Sequence, residues 1–151
     1  MKSILFTIML IQSFTAHFVQ DKQSQLFAEP QRSKGVLEYR TPDYLRWEYT
    51  SPQALVWEVD GDKGNVNPQV LQMLMMIKQC VKGDFDAAQK SFVVDQNGDQ
   101  VTLTPKKREL QRMFQRIEIM MNPETEIAKQ VVIYEANGDC TTIRFYDITM
   151  L

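Results

Sequence analysis

The strongest constraint in this chain is the period of its apolar residues. They alternate with polar ones in short runs, and turn signals cut the runs apart. Alternation puts successive side chains on opposite faces of a strand, so such a chain folds as antiparallel strands with one buried face. Phe14, Ala16 and Phe18 alternate with Thr15, His17 and Val19. Leu37 and Tyr39 alternate with Val36, Glu38 and Arg40, and Thr41-Pro42-Asp43 then turns the chain. Leu45, Trp47 and Tyr49 share one face. Ser51-Pro52 turns again, and Leu55, Trp57 and Val59 form the next apolar face, closed by Asp60-Gly61. Further on, Phe92 and Val94 lead into Asn97-Gly98, a favoured two-residue hairpin turn, and Val101 and Leu103 return. Ile117, Ile119 and Met121 continue the pattern, then Val131 and Ile133, then Ile143 and Phe145. Asn122-Pro123 and Asn137-Gly138 turn the chain between them. The loop at 22–34 is polar apart from Leu26 and Phe27, and 106–113 reads as a short helical turn or an irregular loop.

One segment breaks the period. Asn67 suits an N-cap, Pro68 the first helical position and Gly83 the stop. Between them Val70, Met73, Leu74, Ile77, Cys80 and Val81 form a stripe that Met76 borders. Leu71 and Met75 fall on the other side with Lys78 and Lys82. This apolar surface is wider than one core contact needs. About eight or nine strands and one or two helices predict a mainly β (α+β) fold. The expected architecture is a strongly curved antiparallel sheet, or incomplete β-barrel, covered by the helices. At 151 residues the chain is expected to form a single domain, residues 1–151.

Composition narrows the function. The net charge of −2 gives no broad basic field, so no nucleic-acid partner is expected. One histidine and two cysteines supply no common zinc cluster. No serine or cysteine motif surrounds His17, Asp84 and Asp86 lie in a loop, and no glycine-rich phosphate cradle occurs. No catalytic residue, cofactor or metal is therefore nominated. Cys80 and Cys140 either bridge in an oxidising compartment or stay free. Lys106-Lys107-Arg108, with Arg112 and Arg116, is a solvated face or a docking patch for an acidic partner.

Residues 1–11, MKSILFTIMLI, have the outline of a secretory signal running to Ala16. The alternative is an amphipathic first helix with Leu10, Ile11, Phe14 and Phe18 on one side. The apolar run is too short to cross a bilayer. No cysteine precedes Cys80, so the first quarter holds no acceptor for a lipid anchor.

The aromatic and methionine content is the richest signal. Leu45, Trp47, Tyr49, Leu55 and Trp57 build a large apolar surface on adjacent strands, and the chain holds nine methionines. Methionine adapts to variable apolar partners. The surface is either an ordinary core or a groove for acyl chains covered by the methionine-rich helix.

Several stretches carry a family resemblance. SFTAHFVQ at 13–20, SKGVLEY at 33–39 and PDYLRWEYTSP at 42–52 resemble the outer-membrane lipoprotein carrier family LolA, in Bacteroidetes-type wording. NGD at 97–99, LTPK at 103–106 and NGD at 137–139 follow in matching order. The resemblance implies an unclosed barrel covered by helices around an apolar cavity. It implies a monomeric periplasmic chaperone of a Gram-negative cell envelope, with neither catalytic activity nor cofactor. Its expected partners are acylated lipoproteins, an inner-membrane release complex of the ATP-binding-cassette type and an outer-membrane acceptor. On that footing Leu37, Leu45, Trp47, Tyr49, Leu55 and Trp57 line the lipid groove. Val70, Met73, Leu74, Met76 and Ile77 belong to the lid helix.

The sequence departs from the family in four ways. Only 62–67 separates the Asp60-Gly61 turn from the helix, where members carry a further strand and lid segment. The chain stops at Leu151 without the usual last strand. Residues 1–11 look short. An arginine that latches the lid in members is replaced by Thr41, leaving Arg40 and Arg46 as latch candidates. Two other readings stay open: a binding module for another lipid or glycolipid, and an assembly protein whose apolar faces simply fill a core. They separate on whether the interior under the Pro68 helix is hollow or packed.

Overall fold

A computed structural model describes residues 12–151. The part of the expected secretory signal or first helix that falls on residues 1–11 lies outside the described residues. The strands are β1 (Phe14–Gln23), β2 (Gln31–Arg40), β3 (Tyr44–Ser51), β4 (Leu55–Asp60), β5 (Lys63–Gly64), β6 (Phe92–Asn97), β7 (Gln100–Pro105), β8 (Phe114–Met121), β9 (Ala128–Glu135) and β10 (Cys140–Met150). The helices are α1 (Pro68–Val81), α2 (Phe85–Ala88) and α3 (Arg108–Gln111). The strands form one antiparallel sheet in the order β5-β4-β3-β2-β1-β10-β9-β8-β7-β6. β5 and β6 are its two edges and do not pair, so the sheet is open, as expected. The count exceeds the eight or nine expected strands. One reason is β5, a two-residue strand too short to show a period. It occupies the stretch before the helix that the sequence leaves as a connection.

Phe14, Ala16 and Phe18 are buried in β1, which pairs with both β2 and β10. Residues 14–18 are therefore strand, and the alternative of a first helix through Phe14 and Phe18 is corrected. The period-two pattern wins there because both neighbours complete its ladder.

One face of the sheet carries the core. Leu37, Leu45, Val59, Val101, Ile117 and Val131, from six strands, are each at most 1% exposed and belong to a single apolar cluster. The sheet is strongly bent. β3 and β10 are three places apart, about 14 Å on a flat sheet. Yet the rings of Trp47 and Phe145 lie 6.2 Å apart, edge to face. Gly35 shows how tightly the bend is packed. A Cβ there would lie 1.9 Å from the Glu48 carbonyl oxygen and 2.5 Å from Phe18 Cζ, so only glycine fits.

α1 begins and ends as its sequence predicts. The Asn67 side chain accepts a hydrogen bond from Val70 N at 2.9 Å, and Pro68 opens the helix. Gly83 sits at φ +72, the left-handed position that ends a helix. The segment at 106–113 contains the single helical turn α3.

Candidate functional site

The two ends of the sheet differ, and the difference positions the site. At one end lie the turns at 41–43, 61–62, 98–99 and 122–127; at the other lie the connections at 24–30, 52–54, 106–113 and 136–139. We call these the turn end and the loop end.

α1 lies on the core face and packs against β4 and β9. Its C-terminal half is fastened at the turn end. Lys78, expected with Leu71 and Met75 on the side of the helix away from the main apolar stripe, is only 4% exposed. Its ammonium donates to the carbonyl oxygens of Asp43 (3.2 Å) and Gly61 (2.9 Å) and lies 3.0 Å from Asp43 Oδ1. One lysine thus ties α1 to the β2–β3 and β4–β5 turns at once. Such a buried cation is tolerable because each of these oxygens replaces lost water. Lys82 adds weaker contacts, 3.6 Å to Asp43 and 3.7 Å to Asp84, and lies 5.5 Å from the Tyr39 ring centroid. Burial pushes the Tyr39 hydroxyl up from its ordinary value, with Lys82 pulling the other way. That hydroxyl donates to the Pro42 carbonyl at 2.7 Å.

The residues nominated as latch candidates are engaged elsewhere. Arg40 bonds the Glu38 carboxylate, and Arg46 bonds Glu48 at 2.8 Å. These pairs are i, i+2 neighbours and share the sheet face opposite the core. Thr41 N donates to Ser13 Oγ at 3.0 Å. None of these partners belongs to α1. Here the sequence reading missed Lys78: nothing in helical spacing marks a lysine as buried when its partners are turn carbonyls distant in sequence.

The nominated groove residues come together on the core face. Phe18 stacks on Trp47 with centroids 4.1 Å apart, and Tyr49 meets Trp57 edge to face at 5.5 Å. Their exposure is graded. Leu37 is 0% exposed, and Leu45 and Trp47 are 1% exposed. Tyr49 and Trp57 are half-buried, and Leu55 is 46% exposed at the loop end. In this state the deep part is packed, and a ligand reaches it only if something covering it moves. Two polar details mark the boundary. The Tyr49 hydroxyl donates to Gln20 Oε1 at 3.0 Å, and burial holds its pKa above the usual phenol value. Trp47 Nε1 is buried and makes no well-formed hydrogen bond among the described residues; the indole and the Tyr49 hydroxyl interact, which pulls the phenol pKa down against burial.

In α1, Leu74, Met76 and Ile77 are buried, while Val70 and Met73 are half-buried against the core. Leu71 and Met75, on the other flank, are also half-buried. Cys80 and Cys140 are both free. Burial raises both thiol pKa values, most strongly at Cys80, whose Sγ lies 3.5 Å from Met76 Sδ. Arg116 is not part of a single basic patch with 106–112. It lies on the face opposite the core, 3.8 Å from the Tyr134 ring centroid, and bonds Glu118 at 3.2 Å.

That opposite face bears two open concavities. One of about 520 Å³ is lined by Val19, Met120, Lys129 and Tyr146, with Arg32 and Arg144. The other, about 390 Å³, shares both arginines. Asp21 lies between them, bidentate to Arg32 at 2.8 and 2.9 Å. The Arg32 hydrogen bonds hold its carboxyl below the usual value. These two openings are polar-rimmed and lie on the face away from α1.

The sequence profile of a family described as Outer membrane lipoprotein carrier protein LolA matches residues 10–150. None of the curated proteins matches the chain. Among solved structures, a chain of the Pseudomonas aeruginosa MucA/MucB complex is similar at TM-score 0.55 and 11% identity, covering 93% of this chain and 52% of that one. MucB alone is similar at TM-score 0.55 and 10% identity, covering 99% and 59%. A LolA superfamily protein from Nitrosomonas europaea aligns over 99% of this chain and 93% of its own at TM-score 0.48 and 11% identity. The chain spans little more than half the length of the MucB structures. At such identities the likeness to MucB is one of fold.

Proposed function

The chain belongs to the outer-membrane lipoprotein carrier family LolA, and from that premise we propose that it is a periplasmic carrier for the acyl chains of lipoproteins. It takes its load from an inner-membrane release complex of the ATP-binding-cassette type and passes it to an outer-membrane acceptor. The ligand lies on the core face, entering by Leu55, Trp57 and Tyr49 and reaching Leu37, Leu45 and Trp47 as the packing over them opens. The observation that carries this reading is the graded row from exposed Leu55 through half-buried Tyr49 and Trp57 to buried Trp47.

The physical need is plain. Each CH₂ taken from water is worth about 0.8 kcal/mol, so acyl chains cannot cross an aqueous gap unshielded. A carrier must also let go. A site that is packed when empty spends part of its binding energy on opening, which lowers net affinity and favours release. α1, tied down mainly through Lys78, is the element we assign to that motion.

A fluorescent acylated peptide tests the reading. It should bind, be displaced by the unlabelled acylated peptide and ignore the unacylated one; equal competition by both would count against a carrier. The interior is packed rather than hollow at Leu37, Leu45 and Trp47, and that favours a second reading, an assembly module with a permanently filled core. In that case no lipid copurifies and tryptophan fluorescence is indifferent to added acyl chains. A glycolipid in place of a lipoprotein would appear in extracts of protein purified from its native host.

A further inference from the structure

The loop end of the sheet carries a feature that acyl binding on the core face does not use. Leu26 is 86% exposed and Phe27 46% exposed, side by side in the connection at 24–30. Among the described residues no other large apolar side chain is as exposed as Leu26. Leu55, at 46%, emerges at the same end.

Charge separates along the strand direction. The loop-end connections at 24–30, 52–54, 89–91, 106–113 and 136–139 hold five cations: Lys90, Lys106, Lys107, Arg108 and Arg112. Against them stand three anions, Glu29, Glu109 and Asp139. The turn-end segments at 41–43, 61–62, 82–84, 98–99 and 122–127 hold one cation, Lys82. They hold six anions: Asp43, Asp62, Asp84, Asp99, Glu124 and Glu126. A chain of net charge −2 thus has one positively biased end, and the exposed apolar pair projects from it.

We infer that the loop end docks on an anionic lipid surface, with Leu26 and Phe27 entering the interface and the cations of 106–112 facing the headgroups. An apolar tip and basic residues at the same end of a molecule are the combination that binds bilayers reversibly: buried apolar area adds to attraction for anionic lipid. The acidic turn end is repelled by the same surface, so the molecule meets it in one orientation. That orientation sets the Leu55 mouth of the core face against the membrane. The inference stands on exposure and charge placement, and it holds whatever the core face binds.

The test is flotation of the full chain with vesicles of phosphatidylcholine alone and of phosphatidylcholine mixed with phosphatidylglycerol. Binding is expected to the mixed vesicles only and to fade as salt screens it. Leu26→Ser combined with Phe27→Ser should weaken it about tenfold or more. Lys107→Gln and Arg108→Gln should each weaken it about fivefold. Glu124→Gln, at the far end, should leave it unchanged. All four side chains replaced at the loop end are exposed, so folding is preserved and circular dichroism verifies it. The inference is overturned if the native chain ignores the mixed vesicles, which would leave the loop to a protein partner. It is equally overturned if the Leu26/Phe27 double variant floats as well as the native chain. Uptake of the fluorescent acylated peptide, measured without vesicles, should be unaffected in the double variant. Loss of vesicle binding and loss of the carrier function are therefore separate outcomes.

Discussion

Lys78 shows how one side chain joins parts of this fold that are distant in sequence. Its ammonium serves two turn carbonyls and one carboxylate. Lys78→Met keeps the buried stem and removes these bonds, so urea denaturation should show a loss of about 1–3 kcal/mol. If α1 is the moving element, the same variant should exchange α1 amide hydrogens faster than the native chain. Tyr44 makes a pH prediction. Burial and the Glu58 carboxylate, which accepts its hydroxyl at 2.9 Å, push its pKa up to about 12. A raised folded-state value means the stabilisation is complete below the unfolded phenol value near 10 and is lost as pH climbs through 12. Ultraviolet titration should reveal a late phenolate step that Tyr44→Phe removes. Asp21 works in the opposite sense. Its depressed carboxyl contributes stability above the ordinary value of 3.8, lost as acid drives pH through the lower folded value. Asp21→Asn should flatten the acid limb of a stability–pH curve. The thiols differ too: Ellman's reagent should titrate Cys140 in the folded chain and reach Cys80, 0% exposed, only on unfolding.

Helix ends and strand faces are local matters, and there the sequence was readable. The Asn67 cap and the Gly83 stop of α1 appear where their residue types put them. Asn67→Ala should cost about 1 kcal/mol in thermal or urea unfolding. Gly35 is different in kind. Nothing local marks it, because its requirement comes from Glu48 on β3 and Phe18 on β1. Gly35→Ala should be far more damaging than the cap variant, with most of the protein insoluble or molten at ambient temperature; a cooperative transition within 1 kcal/mol of the native chain's would refute that packing. β5 was invisible in the sequence because two residues cannot display a period. Helical spacing places Lys78 with Leu71 and Met75 but does not reveal its burial, because spacing reports position on the helix, not what packs against each flank.

At the scale of the molecule, one bent sheet has two unlike ends and two free edges. β5 is short, and β6 is the longer open edge, with Val93 on it 53% exposed. Unpaired edges of this kind invite pairing between chains. Val93→Lys should leave stability within about 0.5 kcal/mol while lowering self-association at high concentration, as light scattering would register. Carrier action and membrane docking both draw on the bend. It gathers the aromatic row on one side and leaves the loops, with Leu26 and Phe27, projecting at one end.

Strand periodicity, turn residues and helix caps determined this protein's class and its buried face, because each depends on neighbours a few positions away. They also brought the residues of the nominated groove onto one face, since Leu37, Trp47 and Trp57 follow from alternation and register. Only the tertiary structure decided how deeply each is covered, which lysine fastens the helix and where the charges collect. Those properties depend on bend angle and on contacts between residues far apart in the chain, and no local pattern encodes either.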